Sequence, residues 1–314
     1  MNEVWEAFFS VNTLSATLRL ATPIALAAAA GAVSERAGIV NLGLEGKILG
    51  GAFVGAYISY LTGSPWWGLL GAAMAGMLMG GLLAVFAIRF RADHVVAGMG
   101  LNILMMGLTR LLMQVVWNSR GSSPSVPSLP TWSIPLIKDV PLIGPLLGHH
   151  TPIVYFMLIA APALWLWMFR TPAGLRVRMI GEHPEAADTV GIPVHRTQYL
   201  CMLLAGALAS IGGAHLSLGH LSLFSVNMSA GRGYMAIAAN ILGQWNPLGG
   251  ALAALLFAFT DALQMRIQTL QISWPTELVQ MLPYVLTIAV VAGAVRRSRA
   301  PAALGRHYQP GGES

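Results

Sequence analysis

Two short strings hold most of the residues in this chain that could do chemistry, and both lie in apolar surroundings. The first, Ser34-Glu-Arg-Ala-Gly-Ile-Val-Asn-Leu-Gly-Leu-Glu-Gly46, brings Glu35, Arg36, Asn41 and Glu45 together, with Lys47 beside them. Asn41 and Glu45 stand four residues apart, so on a helix they would share one face. The second, Asn227-Met-Ser-Ala-Gly-Arg-Gly-Tyr-Met-Ala-Ile-Ala-Ala-Asn-Ile-Leu-Gly-Gln-Trp-Asn-Pro247, sets Arg232 between Gly231 and Gly233, with Asn240 downstream. Such breaks free backbone groups to meet a polar solute near the middle of a membrane. Asn102 and Arg110 place polar groups in a further apolar run. Charge at membrane depth is costly and points to a solute path or its gate. The plainer accounts are satisfied charges at a helix start for the first string and a kinked structural helix for the second.

Hydrolytic chemistry has little support in the chain. Gly43-Leu-Glu-Gly-Lys47 has the look of a phosphate loop, but the required first glycine is missing and Ile48 follows the lysine where Ser or Thr belongs. No zinc-protease string, cysteine pair or nucleophile elbow occurs. His149 and His150 are an isolated pair, and Cys201 is a lone cysteine in an apolar run. The expectation is a chain with no catalytic residues, no metal and no cofactor of its own.

The elements that must position these residues follow from composition. Of 314 residues, 55% are hydrophobic and 10% charged. Soluble domains carry roughly 25% charged residues, so lipid must be the solvent for this surface. Apolar runs fall at 14–33, 38–60, 66–88, 95–117, 152–169, 197–219, 247–265 and 276–294. Each approaches the ~20 residues needed to span a bilayer. A ninth run, 221–243, carries the second polar string. The fold class expected is all-α: a polytopic transmembrane helix bundle of about 8–10 spans, one broken or re-entrant. Glycines within the runs allow close helix packing. A short likeness between Leu49-Gly-Gly-Ala52 and Leu248-Gly-Gly-Ala251 hints weakly at repeated halves.

The net charge of +6 comes largely from Lys and Arg flanking the runs. Positive-inside topology explains that better than nucleic acid does, so no nucleic-acid partner is expected. Arg36, Arg89, Arg91, Arg170, Arg176, Arg178, Arg196 and the basic tail fall on one side, which is then cytoplasmic. The N-terminus lies outside and the C-terminus inside, so the broken run crosses. Residues 1–295 form the membrane domain, and 296–314 a cytoplasmic basic tail without fixed structure. The outer loop, 118–151, is proline-rich and serves either as a lid or docking surface or as a passive connector.

A third string, in the polar segment 170–196, lies between two spans. Pro184 suits a first helical position, Glu185 the positive end of the helix dipole and Gly191 the far cap. A short surface helix of this kind can pass force from a soluble partner into the bundle. An ordinary solvated loop fits the pattern as well.

Through these three strings the chain resembles the membrane permease subunits of bacterial ABC importers of the branched-chain amino acid, ribose and nucleoside superfamily. It is nearest their simple-sugar and nucleoside branch, and the likeness covers residues 15–295. The resemblance implies that 181–192 is a coupling segment docking into an ATPase subunit. Gly181, Glu182, Pro184, Glu185, Ala186, Ala187 and Gly191 would then be its contact and shape determinants. It also implies a second, related permease subunit in a heterodimer, an extracytoplasmic solute-binding protein, and residence in the bacterial inner membrane. ATP would be used by the partner ATPase, with nucleosides or simple sugars moving inward by alternating access. Glu35, Arg36, Asn41, Glu45, Asn102, Asn227, Arg232 and Asn240 are expected to form the pathway or its gate. Two residues depart from the pattern: Lys47, where hydrophobic residues are common, and His183, often asparagine. The rival reading is an ion-gradient-driven secondary transporter, which requires acidic residues deep in spans; Glu45 and Asp261 come nearest.

Overall fold

Runs of Ala, Leu, Ile, Val and Gly become helices here because a backbone in lipid must satisfy its own hydrogen bonds. A computed structural model of the chain describes residues 10–133, 148–269, 281, 285, 288, 292 and 299–309. In chain order the helices are α1 (Val11–Glu35), α2 (Leu44–Thr62), α3 (Pro65–Ala84), α4 (His94–Trp117), α5 (Pro152–Arg170), α6 (Pro172–Glu182), α7 (Pro184–Thr189), α8 (Val194–Ala214), α9 (Arg232–Leu242) and α10 (Pro247–Thr269). Helix α3 runs on through a π-helical turn to Arg89, and α8 through another to His220. Among the described residues, six helical stretches (α1, α3, α4, α5, α8 and α10, with the π turns) are long and apolar enough to cross a membrane. The run expected at 276–294 falls almost wholly outside the described residues.

Local chemistry sets the helix ends. Proline occupies the first turn of α3, α5, α6 and α7, where its missing N–H costs nothing. The Asp93 carboxylate caps α4 by accepting from the Val95 and Val96 amides, both at 2.9 Å. Helix α2 departs from the expected run 38–60. The chain reverses through residues 36–43, where Gly38 has φ +90°, and the helix starts only at Leu44. Asn41 therefore precedes the helix that carries Glu45, and the two do not share a helical face.

The bundle centres on α8, which packs against α3, α1 and α2. Small residues set those distances: a Cβ added at Gly76 on α3 would run into the Gly206 carbonyl of α8, and one at Gly206 into that of Gly76. Helices α3 and α4 turn large apolar side chains outward, among them Leu78, Val96 and Ile103. Trp66 and Trp67 stand exposed at one end of α3, and Phe86 and Phe90 at the other, as aromatic residues do at the two interfaces of a bilayer.

The two ends of the bundle differ. At one, residues 121–129 are tied to 218–226 by backbone hydrogen bonds, including Ser123 N to Phe224 O and Val126 N to Ser222 O. A two-residue antiparallel pair, Trp132–Ser133 with His149–His150, lies in the same loop, and His150 is buried. At the other end stand α6 and α7, with Arg36 and Arg178 over the ring of Phe169. Residues 221–246 leave the first end and arrive at Arg36, so the polar run crosses the bundle as a turn followed by the half-length helix α9. Its 11 residues measure about 16 Å, half the thickness of a hydrocarbon core.

Candidate functional site

Helix α9 is held at both ends by carboxylates from the first polar string. At its N-terminus, Glu45 accepts from the Gly231 amide at 2.8 Å and the Gly233 amide at 2.6 Å. A carboxylate here meets both the unpaired first-turn amides and the positive end of the helix dipole. Gly233 is required by the approach, since a Cβ there would collide with the backbone of Glu45. At the C-terminal end, buried Glu35 accepts from the Asn240 amide group at 2.9 Å and from the indole N–H of Trp245.

Arg36 completes that second grip. Its Nε donates to the Trp245 carbonyl and its Nη2 to the Gln244 carbonyl, each at 3.0 Å. Gln244 and Trp245 both have positive φ, 58° and 53°. Two consecutive left-handed residues other than glycine cost about 1–3 kcal/mol each, so surrounding contacts must hold the turn in place. The planar fork of Arg36 meets both carbonyls at once.

Around this core the remaining polar residues bond to one another. Lys47 is wholly buried and donates through Nζ to Asn41 Oδ1, while Asn41 Nδ2 donates to Ser34 Oγ at 3.1 Å. Asn102 accepts from the Gly46 amide at 2.8 Å and donates to the Leu42 carbonyl at 2.9 Å and the Tyr234 hydroxyl at 3.3 Å. It thereby pins the start of α2 to α9. The structure brings Glu35, Arg36, Asn41, Glu45, Asn102 and Asn240 into one connected cluster. Arg232 instead donates back to the Met228 and Ser229 carbonyls, at 3.2 Å each. Asn227 is exposed in the preceding turn with φ 60°, away from that cluster. Sequence reasoning missed Gln244 and Trp245; the only signal was a tryptophan just before Asn246 and Pro247.

The segment 181–192 forms the short helix α7, with Pro184 in its first turn and Gly191 beyond its end at φ +77°. Its residues divide by face. Glu182, Glu185, Ala186 and Gly191 are exposed, whereas Gly181, Pro184 and Ala187 are buried against the bundle. A Cβ at Gly181 would meet the Arg36 carbonyl, so α6 lies directly on the 36–43 turn. Glu182 Oε1 lies 3.9 Å from Arg36 Nη1. One arginine thus touches the exposed segment on one side and the end of α9 on the other. Among the described residues, no group of three or more His, Cys, Asp or Glu is placed to hold a metal ion.

Comparison with known proteins places nearly the whole chain among transport permeases. The chain is 37% identical to the nucleoside ABC transporter permease protein NupC of Lactococcus lactis subsp. cremoris, over 95% of this chain and 98% of that one. It is 35% identical to the guanosine ABC transporter permease protein NupQ of Bacillus subtilis, over 94% and 96%. A solved ABC transporter of metal-chelate type, described as inward-facing, matches in fold with a TM-score of 0.50 at 14% identity, over 90% of this chain and 85% of that one. The family described as branched-chain amino acid transport system / permease component matches residues 13–291. A match over nearly all of the chain, carried by a helical bundle with an exposed short helix and a half-length one, places this protein in that permease family.

Proposed function

We propose that this chain is one membrane-spanning subunit of an ATP-driven importer of nucleosides, with simple sugars as the second solute class. The observation that carries the reading is the double contact of Arg36. A push on α6 and α7 reaches Arg36 through Glu182 and the 36–43 turn, and Arg36 grips the turn that ends α9. The partner on the exposed face of α7 is a soluble ATPase, which binds and hydrolyses the ATP. A second, related permease completes the membrane part, and an extracytoplasmic binding protein supplies solute. The end bearing α6 and α7 faces the cytoplasm in a bacterial inner membrane, with the N-terminus outside and the C-terminus inside. The relatives named for nucleoside and guanosine transport support the solute class.

The cluster acts as a gate more than as a lining. Glu35, Asn41, Asn102 and Asn240 are buried and bonded to protein groups, so they offer a passing solute little until α9 moves. Alternating access then requires that ATP binding by the partner favour one position of α9 over the other. The test is uptake of tritiated guanosine and ribose into proteoliposomes holding this chain, the companion permease, the ATPase and the binding protein. Uptake should stop when the ATPase is inactivated. Uptake that survives that change and collapses with an uncoupler would overturn the reading.

A further inference from the structure

The last described stretch, 299–309, lies beyond the region matched by the family and was expected from the sequence to lack fixed structure. It runs instead across the end of the bundle that carries α6 and α7. The Ala303 amide donates to the Gly181 carbonyl at 2.9 Å, and the Ala302 amide to Glu182 Oε2 at 3.2 Å. The Gly305 amide donates to the Gly38 carbonyl at 2.9 Å, with Gly305 itself at φ +80°. Tyr308 is 7% exposed and packs among Ile180, Ala187 and Val194, its ring 5.3 Å from that of His195. The His307 ring stands 5.1 Å from that of His94 at the start of α4. One strap therefore touches α6, α7, the first turn of α8, the start of α4 and the 36–43 turn.

The physical need for such a strap follows from the length of α7. Six residues are too few for a helix to hold itself, so its orientation depends on what lies beneath it. The helical geometry breaks on both sides of it, at His183 with φ −144° and at Gly191 with φ +77°. A force on the exposed face would roll α7 about those points unless its buried face were backed. Pro184 and Ala187 form that face, and Ala187 shares one apolar cluster with Tyr308, Ile180 and Val194.

We propose that residues 300–309 brace the coupling segment, with Tyr308 as the positioning residue that seats α7 so that the stroke of a soluble partner passes into the 36–43 turn. The proposal rests on the reading of α7 as the docking element. Tyr308 touches no solute; it acts through Ala187 and Ile180.

The test uses the assembled transporter with three forms of this chain: Tyr308→Ala, Tyr308→Phe and a chain ending at Arg299. Two readouts are taken: hydrogen exchange of the α7 amides, and ATP hydrolysed per tritiated guanosine imported. Exchange in α7 should rise about tenfold in Tyr308→Ala and in the shortened chain. ATP hydrolysis should persist while the ATP spent per guanosine rises about fivefold. Tyr308→Phe, which keeps the ring, should restore both. Unchanged α7 exchange in the shortened chain overturns the brace, whatever solute is carried. So does a shortened chain that imports faster than the intact one, since the strap would then be inhibitory. Failure of the intact complex to import guanosine or ribose would count against the proposed function, and the exchange readout would still judge the brace.

Discussion

The two ends of α9 are held by carboxylates ten residues apart in sequence, yet the grips differ in kind. Glu45 meets backbone amides only, and its side is closed by the start of α2 and by Gly233. Toward α9, Glu35 meets side chains, its other oxygen accepting from the Asn41 amide at 3.4 Å, and its neighbour Arg36 meets two carbonyls in a left-handed turn. Arg36 keeps 18% of its side chain exposed and continues to Glu182, which keeps 47%. Under the proposed function, the first end would serve as a sealed pivot and the second as a lever with an outward connection. The same sequence supplies both through the reversal at 36–43, which turns two neighbouring carboxylates toward opposite ends of one short helix.

The contrast can be broken most severely at the pivot. Glu45→Ala leaves the Gly231 and Gly233 amides without their acceptor, at about 1–3 kcal/mol each. The expected result is a lower melting temperature in detergent and uptake near background. Gly233→Ala should do the same by collision with the backbone and carboxylate of Glu45, without removing any polar group. Normal melting in both would show that the N-terminal end is not fixed.

At the lever, Glu35→Gln keeps shape but replaces the carboxyl group that accepts from Asn240 and Trp245 with a neutral amide. Both donors end on one oxygen, which Gln can still supply, so each bond weakens to about 0.5–1.5 kcal/mol, as in a neutral pair, and melting should fall by less than for Glu45→Ala. Uptake should fall with it. Arg36→Lys is a sharper probe, because lysine cannot meet two carbonyls with a fixed fork. We expect uptake to drop about tenfold, the equivalent of one charge-assisted hydrogen bond. ATP hydrolysis by the assembled complex should stay close to its normal rate. Equal losses of hydrolysis and uptake would place Arg36 in the fold and not in the linkage.

The smallest effect belongs to Glu182→Gln. The pair with Arg36 is long, at 3.9 Å, and Glu182 is half exposed. Such pairs contribute about 0–1 kcal/mol, so melting should not change measurably. Coupling, read as solute imported per ATP, should fall less than in Arg36→Lys. A larger fall would mean that Glu182 acts through its exposed face or through the Ala302 amide that it also holds.

Much of this was legible in the residues. Long apolar runs with prolines at their starts marked the helices, and Pro184 with Gly191 marked both ends of α7. The strings around Glu35 and Arg232 were recognisable because charge is rare in a chain of this composition. Other parts were not legible. Reading Asn41 and Glu45 as one helical face extended the 3.6-residue period back past Gly43, although α2 starts only at Leu44. Asn227 carried the same polar signal as Asn240, but a left-handed turn leaves it exposed outside the cluster. The strap at 299–309 has no periodic pattern. Its order comes from the amides of Ala302, Ala303 and Gly305 meeting acceptors more than a hundred residues away.

The sequence by itself determined the solvent of this protein, its helical class and the places where charge interrupts lipid. Those follow from composition and local spacing, which act along the chain. Only the tertiary structure decided that Glu45 and Glu35 close on opposite ends of α9, that Arg36 joins α9 to the segment carrying α7, and that Tyr308 lies beneath α7. Each of those depends on atoms brought together by packing across large sequence separations, and no local propensity encodes which distant backbone group a side chain will meet.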